Sequence, residues 1–184
     1  MGKLSVFNFT TLNGFYKGAN EDISWHKHVN QESEFAENSL QADNILLFGR
    51  VTYQMMAGYW PTPMAMENDA KIAEGMNRSE KIVFSNTLKT AEWNNTRIVS
   101  GDIIAEVKKL KETSGKDMTI LGSGTIVTQL AGHGLIDSYL IMIDPVAIGV
   151  GTPLFHNIKH NLSLKLTDTK VFKSGVVLLS YMPE

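Results

Sequence analysis

The chain has 184 residues and a formal net charge of −2, from 17 basic and 19 acidic side chains. This near balance, without a basic cluster, argues against nucleic acid as the main partner, because binding a phosphate backbone requires clustered positive charge. The absence of cysteine excludes disulfides, thiolate metal sites and a cysteine nucleophile. No apolar run reaches the ~18 residues of a membrane helix, and the first residues lack a signal-peptide pattern. We therefore expect a cytoplasmic protein without a membrane partner.

Strand-like and helical segments alternate through the first two thirds of the chain. Residues 4–11 predict a strand that ends at the turn Asn13-Gly14. Residues 59–63 predict a loop, because proline disfavours helix at the residue before it. The other predicted elements are helices at 32–40, 51–58, 69–76, 103–113 and 126–131 and strands at 44–48, 81–84, 97–99 and 118–121.

The last third of the sequence is rich in strands. Residues 138–143, 162–170 and 175–181 predict strands, and residues 147–153 predict a glycine-rich loop. This order predicts a single α/β domain over residues 1–184. Its sheet is mainly parallel with antiparallel edge strands, and helices cover both faces.

Small and polar residues follow three of the predicted parallel strands. In an open parallel sheet, ligands bind outside the carboxyl ends of the strands, so these turns are expected to meet at one edge. The arginine offers a fork of donors suited to phosphate, and the hydroxyl and amide groups add donors with little bulk. The candidate cofactor-binding residues at these turns are Gly49, Arg50, Val51, Thr52, Ser85, Asn86, Thr87, Gly122, Ser123, Gly124 and Thr125.

The segment Gly122-Ser123-Gly124-Thr125 lies between a predicted strand and a predicted helix. Glycine lets a ligand approach the backbone, and the free N–H groups of a first helical turn attract an anion. The segment therefore predicts a phosphate cradle. The alternative is that both glycines serve packing alone.

Six motifs resemble one known family, in the same order and over nearly the whole chain. They are TLNG at 11–14, FGRVTY at 48–53, KIVFSNTL at 81–88, GSGT at 122–125, GLID at 134–137, and IDPV at 143–146 followed by GVGTPLF at 149–155. In these residues the chain resembles the dihydrofolate reductase-like fold. Within that fold it is similar to the group that includes the C-terminal reductase domain of the bifunctional riboflavin-biosynthesis deaminase/reductase.

This resemblance implies a reductase that uses NADPH. The turn after Gly49 would meet the cofactor phosphates, Ser85 would lie near the adenosine ribose, and the turn at Gly122 would cradle the pyrophosphate. Thr11 would belong to the cofactor site. Asn13, Pro145 and Gly149 would flank the nicotinamide and the substrate pocket.

The chain departs from the family pattern at two positions. Relatives often carry an arginine at the place of Asn86, which can pair with the 2′-phosphate of the cofactor. An asparagine cannot supply that charge, and Arg50 is the cation expected nearby. Relatives also often have aspartate at the place of Asn13, so any acidic role there is lost.

Asp144 is the candidate catalytic residue, because it interrupts an apolar strand just before Pro145. A carboxylate buried there would be costly unless paired or protonated. Tyr59 and Trp60, which precede two prolines, are candidates for lining a substrate cleft. The histidines at 26, 28, 156 and 160 are interpreted as surface residues, and we expect no metal site.

The sequence thus predicts an NADPH-dependent reductase that transfers hydride to a small pterin-like or pyrimidine-like heterocycle. The riboflavin-pathway reduction of 5-amino-6-(5-phosphoribosylamino)uracil is one such reaction. The alternative is a nucleotide-binding module without turnover. A homodimer is expected from the resemblance, with the apolar strand at 176–179 as a candidate contributor.

Overall fold

A computed structural model describes residues 1–26, residue 35 and residues 43–184. Its main feature is an eight-stranded sheet with the order β5-β4-β3-β6-β1-β7-β10-β9. The first six strands in this order run parallel, and β10 and β9 add an antiparallel hairpin beside β7. A second sheet of two short strands, β2 and β8, lies apart from the large one. The predicted mainly parallel sheet with an antiparallel edge is confirmed.

The strands and helices have the following bounds. The strands are β1 Leu4–Thr11, β2 Phe15–Gly18, β3 Ile45–Gly49, β4 Lys81–Phe84, β5 Thr96–Val99, β6 Met118–Leu121, β7 Ser138–Asp144, β8 Gly151–Pro153, β9 Leu164–Val171 and β10 Val177–Pro183. The helices are α1 Arg50–Tyr59, α2 Pro63–Arg78, α3 Ile103–Thr113 and α4 Gly124–Ala131, and a 3-10 turn spans Ala19–Glu21.

Helices cover both faces of the sheet. Adjacent residues of a strand point to opposite faces, so neighbouring residues of a central strand contact different helices. In β3, Leu47 packs with α3 and α4, through side chains such as Val107 and Val127. Its neighbour Phe48 packs on the other face with α1 and α2, through side chains such as Ile72. A buried strand of this kind is apolar at every position, which explains the unbroken run that predicted β3.

Three sequence predictions require correction. The helix predicted over 69–76 begins at Pro63, which occupies the first turn after its N-cap Thr62, and the helix is broken at Asp69 with φ −144° and ψ 60°. The loop predicted over 147–153 contains β8, which pairs with β2. The strand proposed for dimer contact is interior, since β10 lies between β7 and β9.

The helix predicted over 32–40 lies outside the described residues, apart from Phe35, which is helical. Within the described part of the chain, no helix is both long and apolar enough to cross a membrane.

Candidate functional site

A cleft of about 410 Å³ lies at the carboxyl ends of β5, β4, β3 and β6. Nine of the predicted cofactor-binding residues line it, drawn from all three predicted turns. They are Gly49, Arg50, Val51, Thr52, Ser85, Asn86, Ser123, Gly124 and Thr125. One end of the cleft has an apolar wall formed by Phe84, Val99 and Ile103. The structure therefore brings together the strand ends that the sequence singled out.

The turns after β3 and β6 are locked to each other by hydrogen bonds. The N–H of Gly49 donates to Ser123 Oγ at 3.0 Å, and the N–H of Ser123 donates to Thr52 Oγ1 at 3.1 Å. Ser123 Oγ donates in turn to the carbonyl of Leu121 at 3.0 Å. The two hydroxyls thus act within the protein, and they fix the relative position of the helices α1 and α4 that follow the turns.

The first turns of α1 and α4 have no side-chain cap. Their N-cap residues are Gly49 and Ser123, and neither makes a side-chain hydrogen bond to its own helix. The first N–H groups of a helix lack the usual partner one turn earlier, and with the helix dipole they attract anions. In α4 the N–H of Ile126 donates to the carbonyl of Ser123 at 2.8 Å, so Gly124 and Thr125 are the candidate donors there. Two such turns therefore face the cleft side by side.

The glycines of the turn after β6 make room for protein side chains. A Cβ on Gly124 would lie 2.8 Å from the Tyr16 ring, and a Cβ on Gly122 would lie 2.9 Å from Thr52 Cγ2. Gly122 and Ser123 also have positive φ, at 57° and 54°. Packing is therefore one reason for both glycines, while Gly124 also lines the cleft.

Two cations line the cleft on different elements. Arg50 is exposed and its Nη1 donates to Gln54 Oε1 at 2.8 Å. Lys17, on β2, donates to both carboxylate oxygens of Glu21 at 2.6 Å. Burial opposes the charge of this lysine, but its hydrogen bond with Glu21 and the nearby charges outweigh burial, so the pKa of Lys17 is raised. No sequence motif marks β2, so Lys17 was not among the predicted site residues.

Ser85 and Asn86 organise the turn after β4 as well as lining the cleft. Ser85 Oγ accepts hydrogen bonds from the N–H groups of Thr87 and Leu88, at 3.2 and 3.0 Å. Asn86 Oδ1 accepts from the N–H of Gly101 at 2.9 Å, which ties this turn to the loop after β5. Thr87 is exposed and does not line the cleft.

Thr11 and Asn13 bind protein groups. Thr11 is 1% exposed, and its hydroxyl donates to Asn13 Oδ1 at 2.8 Å and accepts from the N–H of Phe15 at 3.0 Å. The Asn13 amide donates to the carbonyl of Ile148 at 2.8 Å, and its Oδ1 accepts from the N–H of the same residue at 3.3 Å. An aspartate could only accept here, so an asparagine suits this loop contact.

The remaining substrate-pocket candidates occupy different places. Trp60 is 7% exposed and belongs to the core between the sheet, α1 and α2, so it packs inside the protein. Tyr59 is half-buried beside it, with ring centroids 5.0 Å apart. Pro145 and Gly149 are exposed in the loop after β7.

Asp144 lies at the end of β7, is 4% exposed and contacts His26. Its carboxylate oxygens are 3.1 and 3.0 Å from His26 Nδ1, and the two side chains are 6% and 5% exposed. The interpretation of His26 as a surface residue is therefore wrong, whereas His156 and His160 are exposed as expected, and residue 28 lies outside the described part of the chain. No sequence signal marks His26, since its burial depends on packing against Phe9, whose ring centroid is 3.7 Å away.

The fold and the cleft define an α/β protein of the dihydrofolate reductase-like class. Over the whole chain, the structure is similar to dihydrofolate reductase from Enterococcus faecalis complexed with NADP(H), with a TM-score of 0.70, 15% identity and 97% of that chain covered. It is also similar to a pyrimidine reductase-like protein from Corynebacterium diphtheriae, with a TM-score of 0.69, 14% identity and 92% of that chain covered. At these identities the similarity shows the fold alone.

The chain belongs to the RibD C-terminal domain family, whose model matches residues 3–178. Among curated relatives, the uncharacterized protein YyaP of Bacillus subtilis (strain 168) is 32% identical over 171 residues, which cover 93% of this chain and 89% of that protein. The uncharacterized protein YwjB of the same organism is 23% identical over 177 residues, with coverage of 96% and 95%.

Proposed function

We propose that this protein is an NADPH-dependent reductase of a small heterocycle. The substrate would be a pyrimidine such as 5-amino-6-(5-phosphoribosylamino)uracil, or a pterin. The observation that carries the proposal is the cleft, in which two uncapped helix N-termini and two cations surround one space.

The cleft suits a ligand with two phosphates and an aromatic base. The N–H groups of α1 and α4 supply donors for the oxygens of these two phosphates, and Lys17 supplies balancing charge. The apolar wall of Phe84, Val99 and Ile103 suits an adenine ring. When bound there, a reduced nicotinamide cofactor would supply a hydride, and the protein would orient the two reactants and exclude water.

Arg50 is the residue that we assign to the 2′-phosphate. Asn86 is neutral, and its Oδ1 already accepts a hydrogen bond from Gly101. Lys17 lies on β2, on the wall that contacts Gly124 through Tyr16, and we assign it to the pyrophosphate. Arg50 would then set the preference for NADPH over NADH, and Lys17 would serve both cofactors equally.

A titration of the purified protein with NADPH, NADP⁺ and NADH tests the proposal. Arg50→Ala is expected to weaken NADPH binding by about 1.5–3 kcal/mol, the range of a charged hydrogen bond, and NADH binding by less. Ser85→Ala is expected to have a smaller effect. Lys17→Met is expected to weaken both cofactors alike, and Glu21→Gln to strengthen both, because it removes the carboxylate that competes for Lys17.

Lys109→Met provides a matched control, since this lysine is exposed on α3 and does not line the cleft. If none of the three nucleotides binds, the reductase proposal fails. The alternative, a nucleotide-binding module of the same fold, predicts binding without oxidation of NADPH. A panel of pterins and aminopyrimidines, followed at the absorbance of NADPH, separates these two functions.

A further inference from the structure

A buried His–Asp pair occupies the part of the sheet edge beyond the cleft. The carboxyl ends of the strands follow the order β4, β3, β6, β1 and β7, and Asp144 ends β7. Strands lie about 4.8 Å apart, so β7 is about 10 Å across the sheet from β6. A dinucleotide with its adenosine at β4 and its pyrophosphate at β6 would extend its reactive ring toward this position.

The pair stands on an apolar face of the sheet. Asp144 lies opposite Thr11 in the parallel register, and two residues earlier Met142 lies opposite Phe9. Alternation puts Asp144 on the same face as Met142, which belongs to an apolar cluster with Phe172 and Val176. The Phe9 ring also covers the His26 imidazole. The pair therefore combines polar groups with apolar and aromatic neighbours.

Stability alone gives little reason for such a pair. Removing two charged groups from water is costly, and apolar side chains of similar volume often stabilise a fold as well or better. Buried titratable pairs next to a ligand cleft are therefore candidates for function.

The contact with Asp144 determines which ring nitrogen of His26 donates a hydrogen bond to it. An ionised carboxylate only accepts hydrogen bonds, so Nδ1, which lies within 3.1 Å of both oxygens, must be the donor to Asp144. Nε2 is then the ring nitrogen that exchanges a proton. Asp144 thus orients the ring.

We propose that His26 is the proton donor of the reductase and that Asp144 positions it. This inference rests on the proposed function and names the substrate class as a planar heterocycle with a conjugated C=N bond. In the reaction, the hydride adds to the carbon and the electron pair of the C=N bond moves to the nitrogen. That nitrogen takes the proton from His26 Nε2, the cofactor is oxidised by two electrons, and the neutral imidazole regains a proton from solvent.

The first test is a binding measurement on the wild-type protein. Protein labelled with ¹⁵N in histidine is titrated with 6,7-dimethylpterin and with 5,6-diaminouracil, both with and without NADP⁺. The His26 ring resonances, assigned by comparison with His26→Gln, are expected to shift at saturation, and those of exposed His133 are not. If neither compound shifts them under either condition, the proposal is overturned.

The second test separates proton donation from hydrogen bonding. The side-chain amide introduced by His26→Gln can donate a hydrogen bond to Asp144 but cannot deliver a proton. We therefore expect the variant to bind NADP⁺ and the heterocycle within about threefold of wild type. Its single-turnover hydride-transfer rate should fall by about 10²–10⁴-fold, the range for general acid catalysis. Asp144→Asn should lower both the heterocycle affinity and the rate, and His133→Gln should change neither.

The outcomes of these tests distinguish the two proposals. A His26→Gln variant that transfers hydride at the wild-type rate overturns the role of His26, while the reductase function stands. A protein that binds no nicotinamide nucleotide overturns the reductase function, and the resonance shifts then report separately whether the pair contacts a heterocycle. Melting temperatures of all variants identify any that are unfolded. If a variant is unfolded, the resonance experiment on the wild-type protein tests the role of His26 instead.

Discussion

The N-termini of α1 and α4 at the cleft differ from those of α2 and α3, although Ile103 at the start of α3 also lines the cleft. At α2 and α3, the N-cap side chains of Thr62 and Asp102 accept hydrogen bonds from the first-turn N–H groups. At the other end of α2, the Lys81 ammonium donates to the carbonyls of Met76, Asn77 and Ser79, at 2.8, 3.2 and 2.6 Å. At α1 and α4, no side chain caps the first turn.

The difference shows where the protein leaves hydrogen-bonding capacity for a ligand. A cap satisfies orphan backbone groups and is typically worth about 1 kcal/mol. The helices α1 and α4 lack this contribution, and the hydrogen bond between Ser123 and Thr52 holds their turns in place instead. Variants that remove a helix cap, or add one, therefore test whether the uncapped ends of α1 and α4 bind a ligand.

The largest effect on stability is expected from removing the lysine that caps the C-terminal end of α2. Lys81 is fully buried, and Lys81→Met leaves three carbonyls without their donor. We expect the free energy of unfolding to fall by about 3 kcal/mol at neutral pH, because breaking a buried charged contact leaves its partners unsatisfied. Urea denaturation measures this value, and a loss below about 1 kcal/mol would contradict the role of Lys81 as the C-terminal cap of α2.

The same side chain gives the stability a pH dependence. Burial lowers the pKa of Lys81 to about 8 from the ordinary 10.5. The unfolded chain then binds more protons than the folded protein between these values, so the contribution of Lys81 becomes more favourable as pH rises. From pH 7.5 to 9.5, wild type should gain about 2 kcal/mol relative to Lys81→Met, as linkage over this interval predicts. Parallel curves for the two proteins would contradict the shift.

The next largest effect, on NADPH binding, is expected from adding a cap to the N-terminus of α1. A Cβ on Gly49 would have only ordinary contacts, at 3.5 Å or more, and its φ of −80° suits any residue. Gly49→Asp should cap α1 and place a negative charge where phosphate would bind. We expect NADPH to bind about 100-fold more weakly, about 2.7 kcal/mol, with stability equal to wild type or higher.

Gly49→Asn is the matched control, because it caps the helix without adding charge. It should weaken NADPH binding less than Gly49→Asp does. If the aspartate variant binds NADPH as tightly as wild type, the N-terminus of α1 does not contact a phosphate.

The smallest effect is expected from removing the N-cap of α2, which lies away from the cleft. Thr62 Oγ1 accepts from the N–H of Ala65 at 3.3 Å and donates to the carbonyl of Tyr59 at 2.7 Å. Thr62→Ala should lower the free energy of unfolding by about 1 kcal/mol and leave the NADPH dissociation constant unchanged. A change in that constant would mean that α2 is coupled to the cleft.

The sequence predicted those parts of the fold that local patterns determine. The helix at Ile103–Thr113 was predicted with the bounds that the structure shows, because an amphipathic pattern marks it. The strands β1, β3, β4 and β6 were also predicted closely, since each is rich in apolar residues and is followed by a turn. In the site, the three glycine-rich or polar turns were identified together because strand order puts them at one edge.

What the sequence did not reveal depends on contacts between distant segments. Strands β2 and β8 have four and three residues, too few for a periodic pattern, and each forms only by pairing with the other. Lys17 was missed for that reason. His26 was missed because the burial of one histidine follows from its contacts with Phe9 and Asp144, which lies 118 positions away.

The pairing of β2 with β8 also affects when the cleft can form. Asn13 and Ile148, which lie beside this small sheet, are 135 positions apart. Contacts of such separation are slow to form, because a long loop must close before they contribute. During synthesis, the wall that carries Tyr16 and Lys17 cannot be completed until the chain has been made through Pro153. A ribosome-bound chain that ends between Leu121 and Pro153 would contain the strands β3, β4 and β6 but would lack the finished binding site.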